Sequence, residues 1–368
     1  MKYIAFYLPQ FHAIPENDEW WGKGFTEWNN VRKSKSLFRK HNQPEIPLNK
    51  NYYCLLDSKT QEWQSQLALN YGIDGFCYYH YWFEGKLLLE KPLELMLKNK
   101  NIKIPFCLSW ANESWARTWD GQENELLIKQ NYNEDENGWK KHFEYFLKFF
   151  KDERYIKNNG RPVLIIYKPH LIKNCKDMLA FWRKLAKENG FADLYIGYQH
   201  YSAFNQNMSE NGFDFGINFE PFYTVYEINR KLNNIKKKAV YYLENPKNIT
   251  RFLRKKLLSE PNIYDYDEIW NNIIRRKNNK SIYRGAFTSW DNTPRKGKNA
   301  DVFFESTPQK FEKYLNALTR ASKKAGNDEY IFINAWNEWA EGAHLEPEER
   351  YGYGYLEAIK RVRDQNGI

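Results

Sequence analysis

Two glutamates three residues apart, Glu338 and Glu341, sit among the indoles of Asn334-Ala335-Trp336-Asn337-Glu338-Trp339-Ala340-Glu341-Gly342. Paired carboxyls beside flat rings are what breaking a glycosidic bond requires. One acid handles the proton of the departing oxygen, the other stabilises or forms the intermediate, and the rings stack on sugar faces. The segment directly follows the apolar run Tyr330-Ile331-Phe332-Ile333, so the pair is expected at the end of a strand. If a helical turn begins there, positions i and i+3 share a face with Cβ atoms roughly 5–6 Å apart. Like charges so close raise the pKa of one acid, as a proton donor needs. The competing view is a solvated helix start, where acidic residues complement the positive end of the helix.

Holding such a pair requires a rigid frame, and the chain supplies a periodic one. Short apolar, β-branched or aromatic runs predict strands over residues 3–8, 75–79, 104–108, 162–167, 194–198, 215–219, 286–289 and 330–335. Amphipathic helix patterns lie between them, as over 61–71, 139–151, 177–189 and 308–325. Eight strand–helix alternations predict an α/β fold, a closed (β/α)8 TIM barrel. A doubly wound open sheet is the alternative, but it wants a glycine-rich phosphate turn after the first strand, where Leu8-Pro9-Gln10-Phe11-His12 stands. Residues 9–57 read as a long loop after strand one that covers part of the cleft. Residues 222–282 read as a basic helical insertion between strands six and seven, with helical segments at 228–243 and 249–259. With no internal repeat or low-complexity linker, residues 1–368 are expected to form a single catalytic domain carrying that insertion.

Composition narrows the class. The hydrophobic set is 42% and charged residues 28%, with no apolar run near the roughly 18 residues of a membrane span. The N-terminus moves straight into a strand-like segment without the apolar core of a secretory leader, which predicts a cytoplasmic location. Cys54, Cys77, Cys107 and Cys175 form no CxxC pair, and Cys77 and Cys107 fall in apolar runs, so reduced thiols are expected rather than disulfides or zinc. Aromatic residues make up 18% of the chain, including 14 Trp and 27 Tyr, more than a core needs, and several lie in polar company. Rings so placed suit sugars or nucleic-acid bases. Of the net charge of +10, residues 230–280 carry +9, from 14 Lys/Arg and 5 Asp/Glu. The plain reading of this segment is a solvated face. The functional reading is peripheral contact with an anionic membrane or a lipid-pyrophosphate carrier through Arg251-Phe252-Leu253-Arg254-Lys255-Lys256-Leu257-Leu258. No nucleic-acid motif accompanies the charge, so a nucleic-acid partner is not expected.

In a (β/α)8 barrel the C-terminal strand ends converge on one face, where active sites form. Polar and aromatic residues recur at these ends: Gln10 and His12; His80 and Trp82; Trp110, Asn112 and Glu113; Lys168 and His170; Gln199 and His200; Glu220; Trp290 and Asp291; Asn337, Glu338 and Glu341. Glu338 and Glu341 are the catalytic candidates. Gln10, His12, Glu27, Trp28, His80, Trp82, Trp110, Asn112, Glu113, His200, Glu220, Trp290, Asp291, Asn337 and His344 are candidates for substrate binding, with Trp20, Trp21 and Trp115 as further stacking platforms. A buried, satisfied carboxylate is the competing view of Glu113, Glu220 and Asp291. The histidines lack a tight spacing such as HxxxH, so no metal site is expected.

Asn337-Glu338-Trp339-Ala340-Glu341-Gly342 with His344-Leu345-Glu346-Pro347 resembles glycoside hydrolase family 99 and the related WbsX-type proteins of polysaccharide-biosynthesis clusters. The likeness extends through Phe6-Tyr7-Leu8-Pro9-Gln10-Phe11-His12, Trp21-Gly22-Lys23-Gly24-Phe25-Thr26-Glu27-Trp28 and Gly75-Phe76-Cys77-Tyr78-Tyr79-His80-Tyr81-Trp82. It continues in Ser109-Trp110-Ala111-Asn112-Glu113 and Trp290-Asp291-Asn292-Thr293-Pro294-Arg295, over residues 1–357. The resemblance implies a (β/α)8 barrel that cleaves α-mannosidic linkages with retention and without a cofactor. It implies that Glu338 removes the proton of the sugar 2-hydroxyl, giving a 1,2-anhydro intermediate. Glu341 would protonate the leaving oxygen and then activate water, so the raised pKa is expected on Glu341. The implied substrate is a bacterial surface polysaccharide or its lipid-linked precursor. The rival is a WbsX-type glycosyltransferase of O-antigen or capsule assembly. Against it stands the lack of nucleotide-sugar features, since the Asp-x-Asp of Tyr264-Asp265-Tyr266-Asp267 falls in the insertion, away from expected strand ends. A non-catalytic carbohydrate-binding protein is the third class.

Overall fold

A computed structural model describes residues 1–116, 126–201, 208–232, 260–277 and 279–368. The eight expected strands are β1 (Lys2–Tyr7), β2 (Gly75–Phe83), β3 (Phe106–Trp110), β4 (Arg161–Ile166), β5 (Tyr195–His200), β6 (Phe215–Asn218), β7 (Ile282–Phe287) and β8 (Tyr330–Asn334). Each pairs in parallel with its sequence neighbours. β1 pairs with both β2 (Ile4↔Gly75) and β8 (Lys2↔Tyr330), which closes the sheet into a (β/α)8 TIM barrel. Parallel strands are covered on both faces, which is why they read as continuous apolar runs: every residue of β8 is buried.

Helices α1 (Ser58–Asn70), α2 (Lys91–Lys98), α3 (Glu136–Phe150) and α4 (Cys175–Glu188) follow the first four strands. Helices α5 (Phe222–Lys231) and α6 (Tyr266–Arg275) follow β6, α7 (Pro308–Lys324) follows β7, and α8 (Gly354–Asn366) ends the barrel. Local chemistry sets several boundaries. The Asp135 carboxylate accepts the Asn137 and Gly138 N–H groups at the start of α3, and Thr307 caps α7 ahead of Pro308. Between β5 and β6 the described residues hold a 3-10 turn, Met208–Asn211, where the pattern would place a helix.

Of the insertion, α5, a strand Asn262–Asp265 paired with Asp301–Phe304, and α6 are described. Residues 228–231 of the first expected basic helix belong to α5. The rest, including Arg251, Arg254, Lys255 and Lys256, lies outside the described residues. The Asp-x-Asp pair is structural in its contacts: Asp265 caps α6, and Asp267 accepts from Lys310 Nζ and Tyr314 Oη at 2.8 and 2.6 Å. Among the described residues no helix is long and apolar enough to cross a membrane.

The barrel centre is filled with rings. Phe6 contacts Tyr79, Phe219 and Phe332 at centroid distances of 5.6, 5.9 and 5.8 Å, in the geometry aromatic packing favours. This layer is the floor on which the C-terminal face is built. Beside it β7 runs close against β6: a Cβ added at Gly285 would lie 1.9 Å from the Asn218 carbonyl oxygen. Gly285→Ala should therefore force the two strands apart and cost about 1–3 kcal/mol or more. Thermal unfolding of the variant would show this as a Tm lowered by several degrees, and an unchanged Tm would contradict the close approach.

Candidate active site

The turn that carries Glu338 and Glu341 is tied into the end of β8. Asn337 bridges to β1 by accepting the Leu8 N–H through Oδ1 (2.7 Å) and donating through Nδ2 to the Leu8 carbonyl (3.0 Å). Asn337 and Glu338 pair antiparallel with Ala343 and His344, and a 3-10 turn, Trp339–Glu341, connects them. Gly342 closes the turn at φ +60°, with Asp291 packed so near that a Cβ would meet its backbone nitrogen at 2.9 Å. Both the left-handed backbone and the close approach call for glycine. The expected i, i+3 arrangement of Glu338 and Glu341 is thus realised in a 3-10 turn.

The two carboxyls meet on one guanidinium. Arg295 Nη1 donates to Glu341 Oε1 at 2.6 Å, Nη2 to Glu338 Oε2 at 3.3 Å, and Nε to Glu27 Oε2 at 3.2 Å. In the sequence Arg295 stands out only as the last residue of Trp290-Asp291-Asn292-Thr293-Pro294-Arg295, with no signal for this role. Burial opposes its charge, but Glu27, Glu341 and Glu338 more than offset that and hold it firmly cationic. Glu27 is pushed up by burial against the pull of Arg295. Glu338 is pushed up to about 8, first by burial and then by Glu341, with Arg295 opposing. The guanidinium is favoured as an ion, while burial first and neighbouring carboxylates second push Glu27 and Glu338 toward their neutral forms. The raised pKa falls on Glu338, whereas it was expected on Glu341.

Both glutamates open into a cavity of about 490 Å³ on the C-terminal face, the size of a small-molecule site. Two runs of contacting rings line it. Trp20 touches Trp115, which touches Tyr81 (6.0 and 5.2 Å), and Tyr167, Tyr201, Phe222 and Trp290 follow one another at 6.3, 6.1 and 4.8 Å. Lys168 pairs with Glu113 and lies 4.9 Å over the Tyr167 ring. Buried Gln10 Oε1 and Trp290 Nε1 have no hydrogen-bond partner among the described residues.

Of the substrate-binding candidates, the cavity brings together Gln10, Glu113 and Trp290 with the two glutamates. The others stand behind its wall. His12 is fully buried, its pKa pushed down to about 4 by burial. Trp28 donates to the Tyr53 carbonyl, Trp110 to that of Trp82, and Trp82 to Glu134. His80 pairs ring to ring with His142 at 2.9 Å. Asn112 clasps the backbone of Lys168, and Glu220 binds Arg276. His200 packs 4.2 Å from Tyr223 and lines a different cavity, which holds neither Glu338 nor Glu341. Asp291 accepts from His41 and Gln43 (2.6 and 2.8 Å) while its N–H holds the Glu341 carbonyl (2.7 Å). His344 stacks on Trp339 at 3.7 Å and pairs with Glu45, which raises its pKa against the effect of burial. Tyr79, Tyr81 and Phe222 were missed. Strand alternation was the available signal: one residue along β2 from the chosen His80 and Trp82, the side chains enter the cavity. Among the described residues, no three His, Cys, Asp or Glu side chains group to hold a metal ion.

A (β/α)8 barrel with a carboxyl pair in an aromatic cleft at its C-terminal face is the class these features define. Residues 3–359 match the glycosyltransferase WbsX family, and the chain belongs to it. Proteins of two Xanthomonas campestris pv. campestris strains, both described as uncharacterized protein WxcX, are 34% identical over 366 residues. The match covers 98% of this chain and 49% of theirs, so the chain spans about half the length of these relatives. The fold is similar to a family 99 endo-α-mannosidase from Bacteroides thetaiotaomicron, with TM-score 0.57, 13% identity, and coverage of 99% of this chain and 96% of that one. A structure described as a glycoside hydrolase-like protein aligns with TM-score 0.59 and 13% identity, over 98% and 93% of the two chains.

Two stability tests follow from the shared guanidinium. Arg295→Met would leave Glu27 and Glu338 buried and Glu341 half-buried without their shared cation, at a cost of about 3–5 kcal/mol, and should sharply lower the Tm. Glu338→Gln should act in the opposite direction with a pH signature. A carboxyl raised to about 8 in the fold contributes stability that is intact below its unfolded pKa and is lost as pH rises through 8. The Tm advantage of Glu338→Gln over the parent should grow between about pH 4.5 and 8 and then level off. An advantage independent of pH would contradict the shift.

Proposed function

We propose that this protein is a retaining glycosidase that acts on an α-mannoside-type linkage in a surface polysaccharide or its lipid-linked precursor, in a cytoplasmic, biosynthetic setting. The observation that carries the reading is the convergence of Glu338 and Glu341 on Arg295 at an aromatic-lined cavity. Glu338 takes the proton of the 2-hydroxyl as its oxygen attacks the anomeric carbon, and the bond to the leaving oxygen breaks as Glu341 protonates it. In the second half Glu341 takes a proton from water, the water oxygen opens the 1,2-anhydro ring at the anomeric carbon, and Glu338 returns its proton to the 2-oxygen. A base titrating near 8 is stronger than an ordinary carboxylate and closer to the operating pH, which favours proton abstraction from a hydroxyl. Trp290, Phe222 and Tyr201 offer stacking faces, and Gln10 and Trp290 offer hydrogen bonds to hydroxyls.

The raised pKa of Glu338 also favours an exchange of roles, with Glu338 as the acid. The pH dependence of kcat/KM, which reports the free enzyme, separates the two. If Glu338 is the base, activity rises as pH increases through about 8; if it is the acid, activity falls there. Glu341→Gln should slow a substrate with a poor leaving group by about 10²–10⁴-fold and affect activated aryl glycosides far less. Equal losses on both would remove Glu341 from the acid role. A glycosyltransferase is the second reading, favoured by the family's description. Incubation with α-mannan fragments, and separately with nucleotide sugars and a lipid-linked acceptor, decides by product mass between released sugars and an extended acceptor.

A further inference from the structure

On the reverse of the catalytic turn lies a second cavity, of about 510 Å³, within the range of ligand sites. Residues 47–53, Trp63 of α1, Trp339, Glu346, Pro347 and Tyr353 enclose it. Its walls are pinned to one another. Leu48 N donates to the Pro347 carbonyl (3.0 Å), Glu349 N to that of Ile46 (2.9 Å), and Asn49 N to Glu349 Oε1 (2.7 Å). The back wall is closed electrostatically: the Glu346 carboxylate accepts from Tyr53 Oη, Gln64 Nε2 and Trp339 Nε1 at 2.7, 2.6 and 2.7 Å. Lys50 is the other acidic or basic lining residue.

The open side of this cavity carries rings and amides. Trp63 and Tyr52 are half-buried and Tyr353 is 37% exposed. The Tyr52 ring is backed by the Arg32 guanidinium at 4.0 Å. Trp63 brings an indole N–H and the exposed Asn51 a carboxamide to this side. Flat faces beside such donors and acceptors, with one exposed charge, suit an uncharged polyhydroxylated ring rather than a phosphate, a nucleotide or an apolar chain.

We propose that this cavity is an accessory sugar-binding site that holds a neutral stretch of polysaccharide back to back with the catalytic turn. The inference rests on the polysaccharide reading given above. Its occupant would lie against Trp339, the residue between Glu338 and Glu341, and would keep the enzyme on its polymer between cleavages.

The test is affinity electrophoresis through gels containing α-mannan, paired with turnover of a short aryl α-mannobioside. Trp63→Ala should weaken retardation about fivefold or more, Asn51→Ala in the same direction by less, and Trp290→Ala should leave a Trp63-dependent part. Turnover of the short substrate by Trp63→Ala and Asn51→Ala should stay within about twofold of the parent. Equal retardation of parent, Trp63→Ala and Asn51→Ala would overturn the proposal, as would absence of retardation of the parent. Equal loss on polymer and short substrate would also overturn it, since Trp63 would then act only through the turn. Trp63-dependent retardation without any mannan cleavage would sustain the site and sink the proposed reaction instead.

Discussion

The arrangement at the mouth of this barrel depends on one buried cation. Arg295 donates to Glu27 from the loop after the first strand and to Glu338 and Glu341 after the last. Without it, the two carboxyls that the chemistry needs at close range would repel in a medium that screens poorly. With it they are held at one point, while burial and the neighbouring Glu341 carboxylate still outweigh its pull and raise the pKa of Glu338.

Around this centre a second tier holds the turn without entering the cleft. Asn337 fastens it to β1, Glu346 fixes the Trp339 indole, and Asp291 braces the Glu341 carbonyl while itself held by His41 and Gln43. Four residues of the long loop, His41, Gln43, Glu45 and Tyr53, meet this tier. The loop therefore supports the reacting groups from behind as well as contributing Trp20 and Trp21 to the cleft. Such support keeps donors and charges preorganised, so they need not reorganise as charge develops.

The family to which the chain belongs is described by transfer of sugars, while the fold it shares is that of glycoside hydrolases. Both chemistries pass through an electrophilic anomeric carbon and differ in what leaves and what attacks. A fold of this kind hosts either chemistry, so the residues of the site rather than the barrel distinguish them.

The amino-acid sequence alone determined the barrel, since parallel strands buried on both faces must be continuously apolar and helices between them amphipathic; all eight strands lie within a few residues of their expected spans. It also singled out Glu338 and Glu341, because the spacing of two acids among indoles is local. The tertiary structure decided which strand-end residues face the cavity. A shift of one residue turns a side chain from cavity to wall, so Tyr79 and Tyr81 line the cleft while His80 and Trp82 pack behind it. It also decided the role of Arg295, whose partners are 268, 43 and 46 residues away in the chain. Charge balance among groups so distant in sequence exists only once the fold has brought them together.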